Sequence, residues 1–235
     1  MKNEGILYGV SVGPGDPELI TVKALKTISA CTYISFIDPG KNQKAVAFEI
    51  ARAALPEIEQ KKQIRLTIPM TADKDIMHIH QAKAFDTIAG HLNEGANVSF
   101  ITLGDVSVYS SFGYLRKLAR AAGFETRMIS GVPSFCAAAA ALDIDLALGE
   151  QDFHIFCAPE AGLDDFLALK GTRIFMKGPS KIPRIIKKIK EKRLDAGLVS
   201  NCGMKNELVV KSLQEYDAES DLGYYSLIIV KGDEA

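Results

Sequence analysis

The chain has 235 residues, 47% of them hydrophobic and 24% charged. That composition excludes a disordered or fibrous protein and leaves room for one large domain or two compact ones. With 28 Lys and Arg against 29 Asp and Glu, the formal net charge of -1 offers no global pull toward nucleic acid or anionic lipid.

No apolar run reaches membrane-spanning length, and Met1 to Gly9 holds too few apolar residues for the core of a secretion signal. Cys31, Cys136, Cys157 and Cys202 stand singly among apolar or small residues, the pattern of buried thiols in a reducing compartment, so a cytoplasmic protein is expected. His78 and His80 are the only close histidine pair. A polar helix face accounts for both, and without a third ligand in the pattern no metal site is expected.

Short apolar runs alternate with helix-like segments, which predicts α/β units on mainly parallel sheet. Ile6 to Val12 reads as the first strand and Pro17 to Ser29 as a helix, with Asp16 as its cap, Pro17 in its first turn and Glu18 at its positive end. Cys31 to Ile37 follows as a strand, Lys44 to Ala54 as a helix, and Gln63 to Ile68 as a strand ending at Pro69. Lys74 to Asn93 carries Ile76, Ile79, Ala82, Phe85, Ile88 and Leu92 at helical spacing and stops at Gly95.

Asn97 to Leu103 is the next strand, Ser110 to Ala122 a helix closed by Gly123, Glu125 to Ile129 a strand, and Pro133 to Leu142 an alanine-rich helix. The second half supplies strands at Phe153 to Cys157, Thr172 to Met176, Gly197 to Ser200, Leu208 to Ser212 and Tyr225 to Val230, with a helix from Pro179 to Lys192. The last of these runs is apolar enough to require burial within a sheet. A domain junction is expected between about Leu118 and Glu125, giving domains 1–120 and 121–235.

Two strand-to-helix loops carry the candidate chemistry. The first is Val12-Gly13-Pro14-Gly15-Asp16-Pro17-Glu18, placed where α/β folds commonly bind nucleotides. It lacks the Gly-Lys-Ser/Thr of a triphosphate loop and the third glycine of the dinucleotide fingerprint. Its acidic residue would repel a pyrophosphate but suits a ligand with positive charge or ribose hydroxyls, such as an adenosyl sulfonium. A tight turn capping a helix accounts for it equally well. The second loop is Thr102-Leu103-Gly104-Asp105-Val106-Ser107-Val108-Tyr109, where Gly104 permits close backbone approach to a flat ligand, and Asp105 either bonds a ligand or caps the helix.

Gly13-Pro14-Gly15-Asp16-Pro17-Glu18-Leu19-Ile20-Thr21 resembles the signature opening of the tetrapyrrole methylases, and Gly104-Asp105 with Tyr109 resembles their second signature. Ser130-Gly131-Val132-Pro133-Ser134-Phe135 is similar to the family's Pro-Gly-Val-Ser-Ser stretch, and Ile174-Phe175-Met176-Lys177-Gly178 to its strand ending in Met. The resemblance runs from about Gly5 to Val230. It implies a fold of two α/β domains of the class III methyltransferase type, S-adenosylmethionine held in the cleft between them, and a homodimer. It also implies that Pro14, Leu103, Gly104, Asp105 and Val108 line the cofactor pocket from the first domain, and Ser134, Met176 and Cys202 from the second. On their own chemistry, Met176 reads as core, Cys202 as a buried turn residue and Ser134 as a helix cap.

Leu103-Gly104-Asp105 followed by Tyr109-Ser110-Ser111-Phe112-Gly113-Tyr114-Leu115 looks most like the family members that methylate C-20 of precorrin-2 or its cobalt form, cobalt-factor II. Ile68-Pro69-Met70-Thr71 with Asp73, and Phe135 with Leu142-Asp143-Ile144, support that branch of cobalamin biosynthesis. Two positions depart from the family pattern: Val106 and Ser130 stand where proline is usual. Losing a ring that fixes φ predicts a cofactor loop that is less preorganised and more mobile.

Methyl transfer to an electron-rich carbon is an in-line displacement that asks for positioning and exclusion of water, so no nucleophilic triad is needed. No residue of the sequence stands out as a base for the ring proton. A carboxylate-rich macrocycle asks for cations along its trough, for which Lys177, Lys181 and Arg184 are candidates, although the segment from Arg184 to Arg193 also reads as a solvated basic helix face. Other readings are methylation at a different ring position, a diphthine synthase-like activity, and a nucleotide-sensing module that binds the cofactor without consuming it. The neutral charge balance gives no support to the ribosomal RNA methylases that share the fold.

Overall fold

A computed structural model describes residues 5–40, 44–69, 71, 73–159, 161–216 and 222–232. The short apolar runs become ten strands sorted into two separate five-stranded sheets, and the chain divides into two units, Met1–Pro133 and Ser134–Ala235. The expected junction near residue 120 moves to Pro133. The reason is strand pairing: Thr126–Ile129 lies beside the first strand, Leu7↔Thr126 through Val10↔Ile129, and so belongs to the first sheet.

In the first unit β1 (Leu7–Ser11), β2 (Tyr33–Ile37), β3 (Lys62–Leu66), β4 (Val98–Thr102) and β5 (Thr126–Ile129) are all parallel, in the order β3-β2-β4-β1-β5. Helices cover both faces, which is why β1 and β4 are buried almost throughout instead of alternating in and out. Alternate side chains still choose their sides. Leu7, Val98 and Phe100 join a core with α3 (Lys74–Asn93) and α4 (Phe112–Ala121), through Ile88, Leu92, Phe112 and Leu115. Val10 and Ile101 face the opposite way, onto α1 (Val22–Ala30) and α2 (Val46–Ala54), through Ala24, Ile28, Phe48 and Ala51.

The helix expected over Pro17 to Ser29 is split in two. Asp16 Oδ1 accepts from Glu18 N at 2.9 Å and caps only a short 3-10 turn, Pro17–Leu19. Ile20 and Thr21 are then extended, and Thr21 is the true cap of α1, its Oγ1 accepting from Ala24 N at 3.1 Å. A side-chain oxygen that takes an orphan N–H of the first turn stabilises a helix by about 1 kcal/mol. Thr21→Ala is therefore expected to lower the unfolding free energy by about 1 kcal/mol, read from denaturant melts. An unchanged midpoint would show that water caps α1 equally well.

The second unit corrects the expectation of mainly parallel sheet. β6 (Phe153–Cys157) and β7 (Thr172–Met176) are parallel, but β10 (Ser226–Val230) runs antiparallel to both β7 and β8 (Ala196–Ser200), and β8 is antiparallel to β9 (Leu208–Val210). The order is β6-β7-β10-β8-β9, so the apolar run near the C-terminus becomes the central strand, buried at every position. On one face α6 (Leu163–Leu167), which the sequence reading did not contain, and α7 (Ile182–Glu191) pack through Leu163, Ile182, Ile185, Ile186 and Ile189 onto Phe175, Leu198 and Ile228. On the other, α5 (Ser134–Leu142) packs on β8, β9 and β10, and Leu142 fills the space left by the missing side chain of Gly197.

The cysteines divide. Cys31 and Cys202 are buried as expected, but Cys136 and Cys157 are exposed, and none of the four is in a disulfide. Burial pushes the Cys31 thiol up to about 11, against the lowering influence of Ser99 and Lys61, so it is protonated at neutral pH. The His80 ring lies 3.1 Å through Nδ1 from the Thr67 carbonyl oxygen, which gives it a local partner. No described helix is long and apolar enough to cross a membrane. Met70, part of the Ile68-Pro69-Met70-Thr71 stretch, lies outside the described residues.

Candidate functional site

The carboxyl ends of β4, β1 and β5 are side by side. From β1 the chain crosses toward β2 by way of α1; from β4 it crosses the other way, toward β5, by way of α4 on the opposite face. The two connections leave on opposite faces of the sheet, which makes the ends of β1 and β4 a switch point of the kind at which open α/β sheets bind ligands. Both loops singled out in the sequence leave the sheet at this point.

These loops are tied together. Gly104 N donates to Gly13 O at 2.7 Å and Val12 N donates to Thr102 O at 3.0 Å, which carries pairing of β1 and β4 beyond the ends of the strands. Gly104 has φ +70°, a conformation that a side chain would strain, and the contact needs its backbone at this spot. Pro14, Gly104 and Asp105 are buried, while Leu103 and Val108 are half-buried. Among the described residues, then, Pro14, Leu103, Gly104, Asp105 and Val108 form one cluster around the switch point.

Asp105 is bonded on all sides by its own loops. Its Oδ1 accepts from Ser107 N at 2.8 Å and from Ser107 Oγ; its Oδ2 accepts from Gly131 N at 2.7 Å and Ser130 Oγ at 2.8 Å. A carboxylate offers about four acceptor positions, and here four donors take them. Burial raises its pKa, but the hydrogen bonds from Ser107, Gly131 and Ser130 outweigh that, and the carboxyl is held below its ordinary value. Its side chain ties the loop after β4 to the loop after β5.

Sequence reading gave no role to Ser11, the last residue of β1. Its hydroxyl donates to Ile129 O at 2.8 Å and accepts from Val106 N at 2.8 Å, and is fully buried between the three strand ends. Only its position, a small polar residue ending an apolar strand before a glycine loop, hinted at it. Gly131 lies so close that a Cβ there would stand 2.4 Å from Ser11 Cβ and 3.3 Å from Gly104 O.

The two positions where proline is usual carry hydrogen bonds that proline could not make. The N–H that a proline at 106 would lack is the one Val106 donates to Ser11, and the hydroxyl that a proline at 130 would lack is the one Ser130 donates to Asp105. Of the two, Val106 is buried and Ser130 exposed.

In the second unit β6, β7 and β8 point the same way, so Cys157, Met176 and Ser200 end at one edge of the sheet. Met176 is flanked by Cys157 and Leu227, and Cys202 is buried in the turn after β8, where Asn201 N donates to Tyr225 O at 3.0 Å. Met176 and Cys202 thus share an edge, and Ser134 opens α5 as its first residue instead of capping it from outside. Tyr224 and Tyr225 stand at that edge as an edge-to-face pair, 5.2 Å between centroids and both partly exposed. Of the cations considered for a carboxylate-rich acceptor, Lys181 Nζ donates to Ala158 O at 3.1 Å. Lys188 of α7 and Lys192, the residue after the helix, pair with Asp164, so part of the basic face is neutralised within the unit.

The model of the tetrapyrrole (corrin/porphyrin) methylases matches residues 6–216. A probable cobalt-precorrin-2 C(20)-methyltransferase of Methanocaldococcus jannaschii is 31% identical over 229 residues, 96% of this chain and 95% of the relative. The cobalt-precorrin-2 C(20)-methyltransferase of Salmonella typhimurium is 28% identical over 235 residues, with 96% of each chain covered. Among solved structures, a cobalt precorrin-4 methyltransferase matches with a TM-score of 0.75 at 20% identity, over 96% of this chain and 94% of the other. A uroporphyrin-III C-methyltransferase from Thermus thermophilus, complexed with S-adenosylhomocysteine, matches with a TM-score of 0.71 at 18% identity, over 97% of each. At such identity the structures speak for the fold, and the sequence matches for descent: this chain belongs to the tetrapyrrole methylase family.

Proposed function

We propose that this protein transfers a methyl group from S-adenosylmethionine to C-20 of precorrin-2 or cobalt-factor II in cobalamin biosynthesis. The observation that carries the reading is the full-length likeness to relatives named for that reaction, 31% and 28% identical over 96% of this chain. The switch-point loops suit such a donor, because they present buried backbone and a glycine at φ +70°, and carry neither a phosphate-binding lysine nor a free nucleophile. The donor supplies a methyl on a positively charged sulfur, released with its bonding pair left on the sulfur as the acceptor carbon forms the new bond.

In the first unit Pro14, Leu103, Gly104, Asp105 and Val108 would hold the donor; Ser134, Met176 and Cys202 are the second unit's candidates by the family resemblance. Pro14 and Gly104 would contribute shape and backbone, Asp105 the fixed spacing of the loops, and Met176 and Cys202 soft, apolar contact. This chain's part in the chemistry is alignment and exclusion of water, which an in-line displacement rewards and which rigid loops provide. The protein works in the cytoplasm as a homodimer in this reading.

Incubation with methyl-labelled donor and, in parallel, precorrin-2 and cobalt-factor II is expected to place label on C-20 of at least one, located by mass and NMR analysis of the product. Label on another carbon would reassign the ring position, and transfer to neither acceptor would overturn the reading.

A further inference from the structure

The loop after β5 touches both other loops of the switch point through one residue. Ser130 Oγ donates to Asp105 Oδ2 at 2.8 Å, and the Ser130 carbonyl accepts from Thr21 Oγ1, the cap of α1, at 3.4 Å. Asp105 belongs to the connection that leaves β4 and Thr21 to the one that leaves β1, so Ser130 spans the two connections that leave the switch point. Asp105 is 7% exposed, and with Gly131 N on the same oxygen, the Ser130 hydroxyl completes its set of four donors. The main-chain atoms of Gly104 are one residue away. A shift of Asp105 moves them directly.

We propose that Ser130 is a positioning residue for the donor site, its hydroxyl holding Asp105, and with it the loop that carries Gly104, against the loop after β5. The proposal rests on the reading that these loops hold S-adenosylmethionine. Ser130 itself touches no reacting atom. Its hydroxyl makes a charge-assisted hydrogen bond to the carboxylate.

The test is titration with S-adenosylhomocysteine by calorimetry, at a temperature well below the melting point of every variant. Ser130→Ala is expected to raise the Kd about ten-fold, the lower end of what loss of one hydrogen bond to a carboxylate predicts, and to raise the KM for the donor in proportion, while the KM for the tetrapyrrole stays within about two-fold. Ser130→Thr, which keeps the hydroxyl, is expected to bind as the wild type does. A residue that served folding alone would lower the melting temperature without moving Kd. Unchanged Kd in Ser130→Ala, equal rises in both KM values, or failure of Ser130→Thr to restore binding would each overturn the proposal. Wild-type protein that binds no S-adenosylhomocysteine would overturn the donor-site reading itself, and this proposal with it.

Discussion

Gly131→Ala is expected to weaken S-adenosylhomocysteine binding by more than about ten-fold and to cost about 2 to 3 kcal/mol of stability. The added Cβ would lie 2.4 Å from Ser11 Cβ, an atom bonded directly to the backbone of β1 and unable to swing aside, and 3.3 Å from the Gly104 carbonyl oxygen. Relief requires the loop after β5 to withdraw. Withdrawal would stretch the bonds from Gly131 N and Ser130 Oγ to Asp105, so the three loops would lose their spacing together. Calorimetric titration and denaturant melts measure the two effects. Ser11→Gly in the same chain removes the clashing atom, and the double variant is expected to recover part of the stability that Gly131→Ala loses, less the bonds of the Ser11 hydroxyl. An alanine variant that melts and binds like wild type would show that the loops separate freely.

The first unit was legible in its sequence because its signals are local and repeated. Each parallel strand is a short apolar run, each following helix has an apolar stripe, and glycines at 95 and 123, both with positive φ, mark the ends of α3 and α4 where expected. The exception is the first helix. Pro17 and Asp16 are strong start signals, but the competing cap at Thr21 wins the α-helix and leaves the earlier signals a single 3-10 turn. In the second unit strand positions were readable and their directions were not. An antiparallel β10 between β7 and β8 follows from long-range pairing, to which no residue of Ser226–Val230 gives a local clue.

The site shows the same division. Gly104 and the Pro14 loop stand out by composition and place, as glycine loops between a strand and a helix, although a capping turn would look the same. Ser11 and Ser130 do not, because a serine is ordinary anywhere and its importance lies in meeting partners 95 and 25 residues distant. Asp105 was legible as a residue and ambiguous as a role. Only the positions of Ser130 and Gly131 distinguish a carboxylate that faces a ligand from one consumed by its own loops. The departures from proline at 106 and 130 point, by themselves, to a looser loop, while the partners of the new N–H and hydroxyl, Ser11 and Asp105, are visible only in the structure.

Asp105→Ala is expected to cost about 3 kcal/mol of stability and to reduce S-adenosylhomocysteine binding below detection in an ordinary titration. Hydrogen bonds to a charged group contribute about 1.5 to 3 kcal/mol each when one partner is removed, and here two backbone N–H groups, of Ser107 and Gly131, lose their acceptor in a part-buried place. Asp105→Asn separates charge from shape. Its oxygen can still serve Ser107, but its NH2 group faces Gly131 N–H, donor against donor, so an intermediate loss of about 1 to 2 kcal/mol is expected. The pH dependence gives the sign. Burial raises the Asp105 pKa, but the bonds from Ser107, Gly131 and Ser130 bring it below the ordinary value, so the folded state binds a proton less readily than the unfolded one. The carboxylate's contribution is then complete above the unfolded value of about 4 and disappears as pH falls through the lower folded value. The stability gap between wild type and Asp105→Asn should accordingly be constant from neutral pH down to about 5 and close as acid is added below about 4. A gap that persisted unchanged into acid would mean that the side chain acts by shape alone, and that its charge does not hold the two loops together.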